Sequence, residues 1–175
     1  MALHILIDGY NLIKSDAIPG LQDIPDLQRQ REALIERLIE YNRLKRHPIT
    51  LVFDATHAPG LLHRKERVGG IDIRFSRLGQ TADALIKNMV DRQREQALVV
   101  TADQDIARVA ELKGATVVSC LDFGERISRA EMMEERFFDS EESMEEGRTP
   151  TTRKKGPAKR PSKKDRKALL KIKKL

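Results

Sequence analysis

The residues of this chain best placed to do chemistry are aspartates at the ends of apolar runs. Leu3-His4-Ile5-Leu6-Ile7 stops on Asp8, with Gly9, Tyr10 and Asn11 next; Ile49-Thr50-Leu51-Val52-Phe53 stops on Asp54; Ala97-Leu98-Val99-Val100-Thr101 is followed by Asp103 and Asp105. Asp83 follows Thr81 and Ala82 at the head of a further amphipathic stretch. Each has an ordinary use, since Asp-Gly after a strand makes a turn and Asp before a helix makes an N-cap. Several strand ends of this kind together point further. If the runs are parallel strands, their carboxyl ends open on one crevice and the acids converge there. Crowded carboxylates repel one another and raise some of their pKa values, and a divalent cation relieves the repulsion. Oxygen-only ligands, without cysteine or clustered histidine, suit Mg²⁺ or Mn²⁺, with Asp8, Asp54, Asp83, Asp103 and Asp105 as candidate ligands. Phosphodiester hydrolysis is the reaction such a cluster serves best. Nucleotide binding fits less well: there is no Gly-rich loop ending in Lys-Ser/Thr and no Gly-x-Gly-x-x-Gly after the first apolar run.

These acids need a scaffold, and the chain supplies alternating patterns for one. Leu3 to Ile7 reads as a strand buried on both faces, as in parallel sheets. Leu12 to Asp26, with Pro19, Gly20 and Pro25, reads as a loop with room for one short helical turn. Asp26 then caps a helix with Leu34, Ile35, Leu38, Ile39 and Tyr41 at helical spacing, closed by Pro48. After the Ile49–Phe53 strand, Ala55 to Gly70 reads as an irregular basic loop carrying His57, Pro59, His63, Arg64, Lys65 and Arg67. It is either a solvated loop or one that contacts RNA through Arg64, Lys65 and Arg67. Ile71-Asp72-Ile73-Arg74-Phe75 alternates as a strand near the sheet edge. Thr81 caps a helix with Leu85, Ile86, Met89 and Val90 on one stripe. The Ala97 strand, a helix ending at Lys113 and Gly114, the Ala115–Ser119 strand and a helix from Asp122 to Phe138 follow. Strands alternating with helices in this way predict an α/β fold, doubly wound, with a mainly parallel sheet and helices on both faces.

The 175 residues suit one domain, expected over 1–138, plus a tail over 139–175. No apolar run approaches the roughly 20 residues that span a bilayer. The start of the chain lacks a basic, apolar leader, and Cys120 is the single cysteine, expected to be buried at a strand end. These features set a cytoplasmic expectation with no membrane partner. The net charge of +6 conceals an asymmetry. Residues 131 to 146 hold eight acids against Arg136, and 147 to 175 hold 13 Lys and Arg against Asp165. Beyond Ser140 the Glu-rich and then Lys- and Arg-rich composition cannot support a core, so disorder is the default there. The tail's charge pattern suits nucleic acid, and Arg166 to Leu175 could become a short helix on contact with a partner.

Ile7-Asp8-Gly9-Tyr10-Asn11, Val52-Phe53-Asp54, Val68-Gly69-Gly70-Ile71, Thr81-Ala82-Asp83-Ala84-Leu85-Ile86 and Val100-Thr101-Ala102-Asp103-Gln104-Asp105 occur in the order and spacing of NYN domains. Over about residues 3 to 135 the chain resembles the YacP-like bacterial branch of these PIN-like ribonucleases. The resemblance implies a metal-dependent endoribonuclease, with Asp8, Asp83 and Asp103 as its catalytic, metal-binding acids. It implies Asn11 as the active-site asparagine and Asp54 and Asp105 as supporting acids. The basic tail lies outside the family pattern. The expected substrate is single-stranded RNA, such as messenger RNA, with the ribosome as a further partner. Tyr10 either stacks a base or packs in the core. Two rivals remain: an RNA- or ribosome-binding module whose acids are structural, and a nuclease of structured DNA.

Overall fold

The computed structural model describes residues 3–57, 65–77 and 79–142, together with Ala168, Lys171 and Ile172. Six strands form one sheet in the order β3-β4-β2-β1-β5-β6, where β1 is His4–Asp8, β2 Ile49–Phe53, β3 Lys65–Val68, β4 Ile71–Phe75, β5 Ala97–Val100 and β6 Thr116–Val118. All neighbours run parallel except the β3–β4 pair. Among the described residues, five α-helices flank the sheet: α1 Gly9–Lys14, α2 Leu27–Lys45, α3 Ala82–Gln93, α4 Gln104–Leu112 and α5 Cys120–Glu142. The doubly wound expectation is met.

The central strands are apolar because both sheet faces are covered. On one face Ile5, Ile7, Leu51, Phe53 and Val100 pack with residues of α1, α2 and α5. On the other, Leu6, Val52 and Val99 pack with Ile86, Met89 and Val90 of α3 and Ile106 and Ala110 of α4. Each fully buried aliphatic side chain contributes about 1.5–3 kcal/mol relative to leaving it in water. Asp26, Thr81 and Asp103 cap α2, α3 and α4 as their positions predict. The α2 helix stops before Pro48, at Lys45, because Arg46 takes a left-handed conformation (φ 54°) as its C-cap.

Chain direction creates the crevice. From β1 the chain moves to β2 and β4 on one side, then returns through α3 to β5 and β6 on the other. The strand order therefore reverses beside β1, where the ends of β1 and β5 adjoin, and such a switch point is where doubly wound folds leave room for ligands.

Two close approaches fix the elements around it. A Cβ on Gly9 would lie 2.2 Å from the Phe53 ring, so α1 can leave β1 at this angle only with glycine there. A Cβ on Gly124 would lie 2.0 Å from the Ala17 carbonyl oxygen, which lets α5 press against the loop after α1. Cys120 is buried, as expected, and burial pushes its thiol up to about 11.

The reading of residues 55–70 as one irregular loop is corrected in part. Ala55–His57 form a 3₁₀ turn, and Lys65–Val68 form the edge strand β3, joined to β4 by a tight turn at Gly69 and Gly70, both at positive φ. Arg64 and His63 lie outside the described residues, as does most of the tail whose disorder was expected. The helix α5 runs through Glu142, across the expected boundary at 138. Ala168, Lys171 and Ile172 are helical; Ile172 packs against the core cluster, and Lys171 Nζ donates to the Glu95 carbonyl. The short C-terminal helix thus has part of its contact surface within its own chain. Among the described residues no helix is long and apolar enough to cross a membrane.

Candidate active site

A pocket of about 440 Å³ opens at the carboxyl ends of β1 and β2 and is lined by Asp8, Asn11, Lys14, Asp54 and Asp83, among others. Asp8 ends β1 and caps α1. Its Oδ1 accepts the Asn11 backbone N–H at 3.1 Å, and its Oδ2 accepts Asn11 Nδ2 at 2.7 Å. The carboxylate is therefore held by one residue through two bonds, and only 5% of Asp8 is exposed. Burial raises the Asp8 pKa above the ordinary value; the two Asn11 bonds oppose this, and the charge of Asp103 adds to it. Asn11 Nδ2 also lies 3.5 Å from Thr101 Oγ1, which ties α1 to the end of β5.

Asp54 ends β2 and turns to the α3 terminus, where its Oδ1 accepts Thr56 N–H at 2.7 Å and its Oδ2 accepts Ala82 N–H at 3.4 Å. Asp83 lies in the first turn of α3, where acids complement the helix dipole. Its pKa is also raised, first by burial and then by the charge of Asp103, with Lys87 opposing. Asp103 caps α4 through Oδ1, which accepts the Asp105 and Ile106 N–H groups at 2.7 and 3.2 Å. Thr101 Oγ1 in turn accepts the Asp103 N–H at 3.0 Å.

Asp8, Asp54 and Asp83 thus share one pocket, and Asp103 acts on Asp8 and Asp83 through its charge. Asp105 also acts on Asp83 through its charge, but it is bound by Lys87. Its carboxylate is hydrogen-bonded to Lys87, its side chain is 71% exposed, and its pKa is lowered by that lysine. Among the described residues no three His, Cys, Asp or Glu side chains form a ready-made metal cage. The donor set still fits Mg²⁺ or Mn²⁺, because Mg²⁺ keeps several waters and is held by one or two carboxylates together with substrate phosphate. Two acids with raised pKa values around one polar pocket are what an added cation would relieve.

Tyr10 is corrected. Its ring is buried with its centroid 5.0 Å from that of Phe53, and its hydroxyl accepts Arg31 Nη1 at 2.9 Å. It forms part of the pocket's floor, and this packing replaces the base-stacking role. Lys65 and Arg67 lie on β3, at the sheet edge, where Arg67 is 3.8 Å from Asp72.

Three residues in and around the site escaped the sequence reading. Lys14 lines the pocket one turn beyond Asn11 and lowers the Asp8 pKa, Thr101 braces Asn11 and Asp103, and Lys87 faces Asp83 and Asp105. Only Lys87 left a signal, as an i,i+4 partner of Asp83.

The chain is 31% identical over 87 residues to the uncharacterized protein YacP of Bacillus subtilis strain 168, a match covering 49% of each chain. It thus aligns with about half the length of that relative. A crystal structure of a point mutant of Rae1 (YacP) from Bacillus subtilis has the same fold, with a TM-score of 0.66 and 23% identity over 95% of this chain and 90% of that one. A second crystal structure of Rae1 (YacP) gives a TM-score of 0.63 and 28% identity, over 81% and 84% of the two chains. Residues 5–174 match the YacP-like NYN domain. That span takes in the basic tail, correcting the expectation that the tail lies outside the family pattern. With the fold and this match in agreement, the chain belongs to the YacP-like NYN family, a nuclease-type domain.

Proposed function

We propose that the chain is a metal-dependent endoribonuclease that hydrolyses single-stranded RNA. The observation that carries this reading is the pairing of Asp8 and Asp83 in one pocket, both with raised pKa values and both under the charge of Asp103. Asp8, Asp83 and Asp103 would hold Mg²⁺ or Mn²⁺, with Asp54 supporting from the β2 end. When bound, the cation supplies an acidified water and neutralises charge on the phosphate. Asn11 fixes the Asp8 carboxylate through both of its donors, so that acid keeps one orientation as substrate arrives. Lys14 places a positive charge at the pocket wall, where phosphate oxygens would lie. The open pocket suits a backbone that can be threaded and turned, which a single strand allows. Messenger RNA in the cytoplasm, on or near the ribosome, is the setting this reading gives.

One observation favours the binding-module rival. Asp8, Asp54 and Asp103 each satisfy backbone N–H groups, a structural use sufficient to keep them in place. The test is cleavage of an unstructured RNA by the full chain with and without chelator. Chelation stops cleavage in the nuclease reading; Mg²⁺ or Mn²⁺ restores it, and Ca²⁺ restores it poorly because it polarises water less. Cleavage that persists in excess chelator, with the protein shown to be metal-free, excludes the metal mechanism. RNA binding without cleavage under any metal identifies the binding module.

A further inference from the structure

Across the first turn of α3 from the acid pocket lies a second pocket, of about 340 Å³, with Arg74, Arg77 and Arg92 in its walls and Gln80 and Asn88 between them. The fold explains the gap. On this face α3 and α4 cover the central strands, while β4, toward the edge, presents Asp72 and Arg74 in place of apolar residues. One face of α3, carrying Leu85, Asn88, Met89 and Arg92 at helical spacing, forms the opposite wall.

Among the described residues, none of the three guanidiniums has a carboxylate within ion-pair distance. Arg74 Nε is enclosed by protein without a hydrogen-bond partner. Lys65 stands directly opposite Arg74 on β3, a like-charge cross-strand pair that costs stability. An anion bound among the guanidiniums relieves that repulsion. Planar guanidiniums match phosphate oxygens in paired N–H···O geometry, so the fitting anion is a phosphate.

The two pockets are also in line. Asp8 pairs with Val52, and Val52 with Arg74, so Asp8 and Arg74 lie in one transverse row on the same sheet face. With one strand between them, they are about 10 Å apart, twice the spacing of neighbouring strands. Gln80 lines one pocket and the next residue, Thr81, lines the other. A strand with one phosphate at the acids is thereby led to the arginines.

We propose that Arg74, Arg77 and Arg92 form a track for the phosphates of the RNA strand beside the bond to be cut. This deepens the nuclease reading and rests on it for the position of that bond. The test is binding of a short fluorescent oligouridylate to the metal-free full chain. Replacing exposed Arg77 and Arg92 together (Arg77→Glu with Arg92→Glu) weakens binding about tenfold or more at low salt. The slope of log affinity against log salt flattens by about 1.4, at about 0.7 per phosphate contact on a single strand. The control, Arg29→Glu with Arg43→Glu, makes the same charge change on α2, across the sheet, and leaves binding within about twofold because salt screens distant charges. Equal weakening by both pairs, no effect of the first pair, or no RNA binding by the unaltered chain would each overturn the track. So would inorganic phosphate shifting the Arg74 Nε–H resonance as strongly as the oligouridylate does at equal concentration. RNA held at the arginines but never cut removes the nuclease reading and leaves an RNA track; RNA cut normally, with binding indifferent to Arg77 and Arg92, removes the track alone.

Discussion

The two pockets flanking α3 differ in how their charged groups are held. In the acid pocket Asp8, Asp54 and Asp103 are fixed by backbone N–H groups and by Asn11. In the arginine pocket no carboxylate among the described residues lies within ion-pair distance of the guanidiniums. A reaction centre benefits from groups placed before substrate arrives, since preorganised charge is not rearranged during the reaction. A surface that grips a flexible polyanion benefits from long, adaptable side chains. Under the proposed reading, chemistry falls on one side of the helix and grip on the other.

The largest expected effects test the acid side. Asp8→Asn, Asp83→Asn and Asp103→Asn should each lower RNA turnover about 100-fold or more, the range for losing a positioned acid or base. Circular dichroism should stay unchanged, because Asn keeps the capping oxygen. Asp105→Asn should cost less than about tenfold, since that carboxylate serves Lys87. If Asp105→Asn equals Asp103→Asn in effect, Asp105 belongs with the metal acids.

The next test addresses the grip. Removing residues 147–175 should weaken RNA binding at low salt and flatten the salt slope by about 3 if about four phosphates are engaged, at about 0.7 each. Equal slopes for the full and shortened chains would leave the grip to the arginine track alone.

Rigidity of the acid pocket is tested by Gly9→Ala. Its Cβ would collide with Phe53, so this change should cost about 1–3 kcal/mol in chemical denaturation, the usual range for overpacking. A neutral result would show that α1 shifts freely, and the claim of preorganisation would fail.

The smallest effect concerns pH without metal. Burial raises the Asp8 and Asp83 pKa values above 3.8 in the folded state. The fold therefore favours their protonated forms, and these groups cost stability increasingly as pH climbs from about 3.8 through the raised values. In metal-free buffer at neutral pH, Asp8→Asn with Asp83→Asn should melt a few degrees above the unaltered chain. The gap should close at acid pH, and adding Mg²⁺ should narrow it by stabilising only the unaltered protein. A gap independent of pH would point to packing as its origin.

The sequence alone was enough for the alternation of strands and helices, the caps at Asp26, Thr81 and Asp103, and the placing of Asp8 and Asp54 at strand ends. Those features follow from local rules: periodicity within a run, and side chains that bond to the N–H groups a few residues on. The edge strand β3 was hidden because Lys65-Glu66-Arg67-Val68 has almost no apolar signal; pairing with β4 makes it a strand. Tertiary structure alone decided the rest. Asp105 was indistinguishable from Asp103 until α4 packed beside α3 and brought Lys87 to it. Tyr10 became a floor residue because β2 delivers Phe53 beneath it and α2 delivers Arg31 to its hydroxyl. Arg74, Arg77 and Arg92 line one pocket only because sheet order sets β4 two strands from β1, beside α3. Spacing along a chain reports which neighbours share a face, but which faces meet depends on strand order and helix packing, which residues distant in sequence determine together.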